Sequence, residues 1–173
     1  MLSLLLSILG KDDPSKYKGF VGVLVEMSAF FMRADRAYQR SYRKHKALKA
    51  LLLFMKGLLE DAADQGGLLT TLAHFYAGAA YSSGKNQDYL LSKGLHKWVL
   101  AFLAPGRFPP PFVRAATMLL GTLPGEARHR ALLVGDGGVT RLLALLKTGL
   151  DDKDAGLLSS TLYALWSLCA DCE

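Results

Sequence analysis

The 173-residue chain has few of the features that identify secreted or membrane proteins. Its two cysteines, Cys169 and Cys172, are too few for a disulfide framework. No apolar run reaches the roughly 18 residues that a membrane-spanning helix needs. The apolar start, Met1 to Leu9, has neither the basic segment nor the small-residue cleavage site of a secretory signal. We therefore expect a first core helix there and an intracellular, cytoplasmic protein with no transmembrane segment.

Arrangements of residues that would support catalysis or metal binding are also absent from the sequence. Cys169-Ala-Asp-Cys172 supplies two of the four ligands of a structural zinc site, and a redox site would need a strand context that is missing. The segment from Gly135 to Gly138 lacks the Gly-Lys-Ser/Thr of a phosphate-binding loop. The four histidines are scattered, with no nucleophile arranged beside them: His45, His74, His96 and His129. We expect no enzymatic activity, metal, cofactor or small-molecule substrate, with Cys169 buried and Cys172 exposed at a helix end.

What the sequence has in abundance is apolar residues at helical spacing. Recurrence at i, i+3, i+4 and i+7 predicts an amphipathic helix whose apolar face is buried. Five such faces are predicted: Phe20, Val23, Leu24, Met27, Phe30 and Phe31; Leu48, Leu51, Leu52 and Met55; Leu68, Leu69, Leu72, Phe75, Tyr76 and Ala79; Leu95, Trp98, Val99, Phe102 and Leu103; Phe112, Ala115, Ala116, Leu119, Leu120 and Leu123.

Prolines, glycines and capping residues predict where these helices begin and end. Pro14 suits the first turn of a helix, and the prolines up to Pro111 predict an extended segment that lasts until after Pro111. Asn86 is predicted to cap a short helix that ends at Gly94. The polar segment from Arg33 to His45 shows no breaker, so a continuous helix is predicted there.

Four segments begin alike at intervals of about 45 residues. Each is followed by a turn and a longer apolar helix, and a short polar helix with a glycine precedes the next copy. Their first residues are Leu4, Leu48, Leu95 and Val139. Self-similarity at this period predicts a helical solenoid.

The last copy carries a resemblance to a known family. Arg130 to Leu133 is similar to a short first helix, and Gly137-Gly138-Val139 resembles a Gly-Gly-hydrophobic junction. Leu142 to Leu146 resembles a second helix with a Leu-Leu pair, and Ser160 to Leu168 a longer third helix. Together they resemble the armadillo repeat, with HEAT-like repeats as the close competitor. The resemblance implies an all-α, right-handed α-solenoid, a single array over 1–173 with approximate repeats 1–47, 48–94, 95–138 and 139–173.

The resemblance also implies a concave groove lined by third helices, in which a non-catalytic scaffold binds a peptide or helix of another protein. Importin-α-like members carry Trp and Asn there, whereas this chain has Met118 and Thr122 in one copy, then Tyr163 and Ser167. This argues against binding of a nuclear localisation signal by that ladder. The candidate groove contacts are Arg114, Met118, Thr122, Ser159 and Tyr163.

The basic segment from Arg33 to Lys49 offers an alternative function. It holds seven of the 21 lysines and arginines and one of the 15 acidic residues, so it accounts for the whole net charge of +6. Helical spacing predicts a cationic stripe of Arg33, Arg36, Arg40, Arg43 and Lys44, with Tyr38 and Tyr42 between them for stacking. Such a stripe suits an acidic or phosphorylated ligand, a nucleic acid or an anionic lipid, or it is a solvated face that keeps the protein soluble. A structural array segment of a larger multidomain protein is a further alternative.

Overall fold

The computed structural model describes residues 1–11, 13–58, 66–104 and 106–170, without the side chains of residues 33 and 34. This part of the chain forms eleven α-helices and one 3-10 helix (Pro14–Tyr17) and contains no β-strand, so the predicted all-α class is confirmed. The α-helices are α1 (Leu2–Leu9), α2 (Lys18–Ala34), α3 (Arg36–Lys44), α4 (Ala47–Leu58), α5 (Gly66–Ala80), α6 (Gly84–Ser92), α7 (Leu95–Phe102), α8 (Pro110–Thr122), α9 (Ala127–Gly135), α10 (Gly138–Asp151) and α11 (Ala155–Cys169).

From α3 onwards the helices follow one another in groups of three. Each group opens with a nine-residue helix (α3, α6 and α9), which we term a first helix. The second helices are α1, α4, α7 and α10, which begin at residues 2, 47, 95 and 138, at intervals of 45, 48 and 43. The third helices are α2, α5, α8 and α11, the last helix of each group.

The third helices pack against one another in chain order. α5 contacts α2 on one side and α8 on the other, and α8 in turn contacts α11. Second helices pack behind them, with α7 against α8 and α10 against α11. Fully buried leucines from second and third helices contribute to the core, among them Leu51, Leu72, Leu95 and Leu120. The third helices thus form a row, and each also contacts the second helix that precedes it.

Polar side chains link helices that lie about 40 residues apart in the sequence. Gln39 Nε2 donates to the Gly78 carbonyl at 3.0 Å, and Arg141 Nη1 donates to the Leu100 carbonyl at 3.0 Å. Gln87 Nε2 reaches the Thr122 carbonyl at 3.0 Å in the same way. Because the carbonyls of the last helical turn lack partners within their own helix, the Thr122 and Gly78 bonds satisfy groups at the ends of α8 and α5.

The turn from first to second helix has the same backbone form in all three groups. The residue just before the second helix has a positive φ: 60° at Lys46, 75° at Gly94 and 83° at Gly137. Only glycine adopts this left-handed conformation without steric cost, so Lys46 is the strained member of the set.

The predicted buried face of α2 is wrong for five of its six residues. Leu24 is buried, but the other five are between 43% and 73% exposed: Phe20, Val23, Met27, Phe30 and Phe31. The helix instead buries a face that includes Val21, Val25 and Met32. α2 is apolar on both sides, and among the described helices α5 is the one third helix that packs against it, so its other apolar side stays uncovered.

Two predicted helix boundaries are also wrong. Asp35 is extended (φ −138°, ψ 116°) and its Oδ1 accepts a hydrogen bond from the Ala37 amide at 2.6 Å, so the segment from Arg33 to His45 is broken by an N-cap. α8 begins at Pro110 rather than after Pro111, because the first helical turn does not need the amide hydrogen that proline lacks.

Two predictions about single side chains fail as well. Asn86 does not cap α6; Ser83 occupies the N-cap position, and Asn86 lies buried in the first helical turn. Its side-chain amide bonds to the end of α5 instead of to its own helix. Cys169 is exposed at the end of α11 rather than buried, while Cys172 lies outside the described residues.

Candidate functional site

A cavity of about 650 Å³ lies along three successive third helices. α5, α8 and α11 each contribute to its lining, so the cavity depends on their side-by-side packing. We call this cavity and the smaller one that adjoins it the groove. The residues that line the larger cavity are Thr70, His74, Pro111, Arg114, Ala115, Met118, Gly156, Ser159, Ser160 and Tyr163.

The groove brings together the contact residues predicted from the sequence. Arg114, Met118, Ser159 and Tyr163 line the larger cavity. Thr122 lines the adjoining cavity of about 230 Å³, which shares Met118 with the larger one. Its side chain is buried, however, and its hydroxyl donates to the Leu119 carbonyl at 2.8 Å, so Thr122 offers little surface to a ligand.

Arg114 is held at the rim by an ion pair between neighbouring third helices. Its Nε and Nη2 donate to Asp154 Oδ2 at 3.2 and 2.8 Å. Asp154 also caps α11, since its Oδ1 accepts from the Leu157 amide at 2.9 Å. The Leu157 amide, and then the Arg114 guanidinium, lower the pKa of the Asp154 carboxyl below its usual value. The cap, the ion pair and the groove wall therefore form one connected unit.

Tyr163 is placed by a close approach between α8 and α11. A Cβ atom added to Gly121 of α8 would lie only 2.7 Å from two carbons of the Tyr163 ring. Glycine at this position lets the ring approach the neighbouring helix closely, with part of its surface open to the cavity. The helix spacing thus fixes where this groove residue stands.

The lining combines an apolar base with polar groups at its edge. Pro111 and Met118 of α8 supply apolar surface to the cavity, while the lining residue Ala115 is almost fully buried. The hydroxyls of Thr70 and Ser160 donate to backbone carbonyls of their own helices at 2.6 and 3.1 Å. Such a surface suits apolar side chains of a ligand, with hydroxyl oxygens left as hydrogen-bond acceptors.

The alignment of repeats within the sequence did not identify the residues that α5 contributes to the groove. Thr70 and His74 stand four residues apart, and so on one face of α5. Each lies 44 residues before a predicted contact, Thr70 before Arg114 and His74 before Met118. Extending the alignment of third helices back by one copy would have identified both.

The five predicted cationic residues do not form a stripe on one helix. Arg33 belongs to α2, beyond the break at Asp35, and its side chain lies outside the description. On α3, Arg43 is half-buried and its Nη1 donates to Asn86 Oδ1 at 2.6 Å. Arg36, Arg40 and Lys44 are exposed. Arg40, Arg43 and Lys44 do line a shallow cavity of about 570 Å³, together with Ala37, Ser41 and His45.

Of the two α3 tyrosines predicted to stack on a ligand, Tyr42 is not accessible. Tyr42 is fully buried, and its hydroxyl lies 2.5 Å from Ser28 Oγ. Burial raises the pKa of Tyr42 well above the usual value for tyrosine. The Tyr38 ring packs between Phe31 and Tyr42, with centroid distances of 5.5 and 5.0 Å. Tyr42 therefore belongs to the core, and the half-buried Tyr38 packs against it.

In the part of the chain that the structure describes, no three His, Cys, Asp or Glu side chains gather as metal ligands. None of the described helices combines the length and the hydropathy that a membrane span requires. Comparison of the chain with protein-family models, curated protein sequences and solved structures gives no match.

Proposed function

We propose that the chain is a right-handed α-solenoid of armadillo-like repeats and acts as a non-catalytic, intracellular scaffold. Its ligand is a peptide or helix of another protein, held in the groove. The observation that carries this proposal is the cavity of about 650 Å³ shared by α5, α8 and α11, with Arg114, Met118, Ser159 and Tyr163 in its lining.

The order of the helices supports the architecture. Each group has a short first helix, a left-handed residue, a second helix and a third helix that contacts the third helix before it. Armadillo units have three helices where HEAT units have two, so the three-helix groups favour the armadillo type. The groups α3–α5, α6–α8 and α9–α11 would be three complete units, with α1 and α2 as parts of a fourth.

The dimensions and chemistry of the groove support a peptide ligand. Packed helices lie about 8–10 Å apart, so three side by side span roughly 20 Å between their outer axes. An extended peptide covers that distance with about six residues. An apolar base edged by hydroxyls and one guanidinium suits a segment that presents apolar side chains to Met118 and Pro111, with polar groups near Arg114.

Selection of binding peptides from a display library, with the purified chain as bait, tests the proposal. Met118→Glu places a charge on the apolar base and is expected to weaken the selected peptides by at least about tenfold. Leu53→Glu introduces the same charge at an exposed leucine of α4, outside the groove, and should leave affinity unchanged. Selected peptides that bind the Met118 variant as tightly as the wild type would refute a groove site.

Anion binding through α3 is a second candidate, favoured by the cavity that Arg40, Arg43 and Lys44 line with His45. Binding of single-stranded RNA or of anionic vesicles would then fall steeply with salt and disappear in Arg36→Glu/Arg40→Glu. This variant spares Arg43, which bonds to Asn86. Affinity that is insensitive to both salt and charge reversal would remove this candidate. Peptide binding in the groove should be unaffected by the same change.

A third candidate role is that of an array segment in a larger multidomain protein. It is favoured by apolar side chains exposed on the outer faces of α10 and α11. A version extended by further repeats would then melt at a higher temperature and show less self-association than the chain itself. Equal melting temperature and association would count against this role.

A further inference from the structure

The third helix α11 exposes large apolar side chains on the face turned away from its neighbour. Ala164 faces α8, since its Cα lies 3.1 Å from where a Cβ on Gly121 would stand. Successive residues of a helix are about 100° apart, so residues two positions from Ala164 point about 200° away. Leu162 and Trp166 stand there and are 55% and 69% exposed.

The second helix beside it, α10, has the same property. Arg141 points towards α7, where it bonds to the Leu100 carbonyl. Leu143 and Leu150 follow two and nine residues later, at about 200° and 180° around the helix, and so face away from α7. Both are more than half exposed. We call the exposed apolar side chains on these two neighbouring helices, Leu143, Leu150, Leu162 and Trp166, the α11 end.

The opposite side of the stack, at α2, also exposes apolar side chains. Gly22 of α2 faces α5, because an added Cβ would lie 3.5 Å from Leu68 Cδ1. Phe20 and Phe31 lie two residues before and nine residues after it, and so point away from α5. Both are nearly half exposed. We call this side of α2, with Phe20 and Phe31, the α2 end.

Each end offers a surface for one more contact between third helices, of the kind that the chain already makes three times. α2 packs against α5, α5 against α8 and α8 against α11, in each case one third helix on the next. The α11 end would receive a following third helix, and the α2 end would receive a preceding one. Uncovered apolar ends are unfavourable in water, and stacked repeats normally carry polar ones.

We propose that copies of this chain associate head to tail, with the α11 end of one copy packed on the α2 end of the next. The contact is heterologous, because two different surfaces meet, and it leaves one open end at each side of the growing assembly. Association therefore continues beyond the dimer as concentration rises. It uses the two ends and leaves Met118 and the rest of the groove uncovered.

Sedimentation velocity of the 173-residue chain over a wide concentration range tests the proposal. The average mass of the wild type should rise steadily with concentration. Trp166→Glu removes the α11 end and Phe20→Glu removes the α2 end, so each variant alone should remain monomeric. An equimolar mixture should form a dimer and nothing larger, since each variant retains the end that the other has lost. Ala101→Glu, at an exposed position of α7, the helix from which Leu143 and Leu150 face away, should associate like the wild type.

Three results would overturn the proposal. A wild type that stays monomeric at every concentration shows that the ends do not bind each other. A single variant that still dimerises alone shows a symmetric contact instead. A mixture that stays monomeric, although circular dichroism shows both variants folded, shows that the two ends are not partners. Should Trp166→Glu or Phe20→Glu fail to fold, Leu162→Glu or Phe31→Glu replaces it at the same end.

Discussion

The ring of Tyr163 on α11 lies directly against Gly121 of α8. Two ring carbons stand only 2.7 Å from the position that a Cβ on Gly121 would occupy. The contact joins two neighbouring third helices and places a groove residue at the same time. Helix packing and groove shape are therefore coupled at this point.

Gly121→Ala should lower the free energy of unfolding by about 1–3 kcal/mol, because the added methyl group overpacks a tight interface. Gly57→Ala is the matched control: it also lies within a helix, but nothing stands within 4 Å of an added Cβ. That change should raise stability by roughly 0.5–1 kcal/mol through helix propensity. Urea unfolding of both variants measures the difference. Equal effects of the two changes would show that α8 and α11 do not approach closely.

The left-handed residues before the second helices give a pair of opposite predictions. Gly137→Ala should destabilise by about 1–2 kcal/mol, since φ is 83° and no neighbour crowds the site, which leaves the backbone as the source of the cost. Lys46→Gly should stabilise by up to about 1 kcal/mol, because φ is 60° at a residue that carries a side chain. Thermal melts of both variants check the signs. Two changes of the same sign would contradict the equivalence of the turns.

Asn86 joins three helices through its buried side chain. Its Nδ2 donates to the Ala79 carbonyl of α5 at 2.7 Å, and its Oδ1 accepts from Arg43 Nη1 of α3 at 2.6 Å. Asn86→Ala should cost about 1–3 kcal/mol, because both partners lose a hydrogen bond at a buried or half-buried site. Ser92→Ala, at an exposed hydroxyl of the same helix, should change stability by less than about 0.5 kcal/mol. Chemical denaturation distinguishes them, and a cost for Asn86→Ala no larger than the control would contradict the bridging role.

His96 predicts a dependence of stability on pH. Burial lowers the pKa of His96, and the charge of Lys97 lowers it further. The Asp136 carboxyl, 3.0 Å from His96 Nε2, raises the pKa and partly offsets these effects. Because the folded pKa lies below the unfolded value of about 6.5, the unfolded chain binds more protons in the window between them. The stability from neutral His96 is therefore present above about pH 6.5 and is lost as pH falls through that window.

Comparison of the wild type with His96→Gln tests this dependence. The free energy of unfolding should fall more for the wild type than for the variant as pH is lowered from about 7.5 into that window. The difference between the two curves isolates His96 from the other histidines. Parallel curves would mean that His96 has the same pKa in the folded and unfolded chain.

Much of the helical pattern could be predicted from apolar spacing. The stripes of α4, α5 and α8 are buried almost throughout, because each of these helices has neighbours on several sides. The same spacing failed on α2, since periodicity shows that a face is apolar but not whether another helix covers it. The break at Asp35 was not predicted for a related reason. An aspartate that ends one helix by capping the next cannot be distinguished by type from the other polar residues of a polar segment.

The groove residues on α8 and α11 were predicted from their place in the repeat, and four of them line one cavity. The α3 stripe could not be predicted correctly, because burial of Tyr42 and the bond from Arg43 to Asn86 depend on contacts across distant helices. Local spacing specifies a face of a helix; tertiary packing decides which face meets solvent.

The methionine methyl groups provide the most direct measurement of the central claim, that the groove binds a peptide. Among the five methionines, Met118 lies in the groove, whereas Met32 and Met55 are buried in the core. On titration of the methyl-labelled chain with a selected peptide, the Met118 resonance should move and saturate with the binding isotherm, while Met32 and Met55 stay in place. A peptide that saturates the protein and leaves the Met118 methyl resonance unchanged would contradict the account.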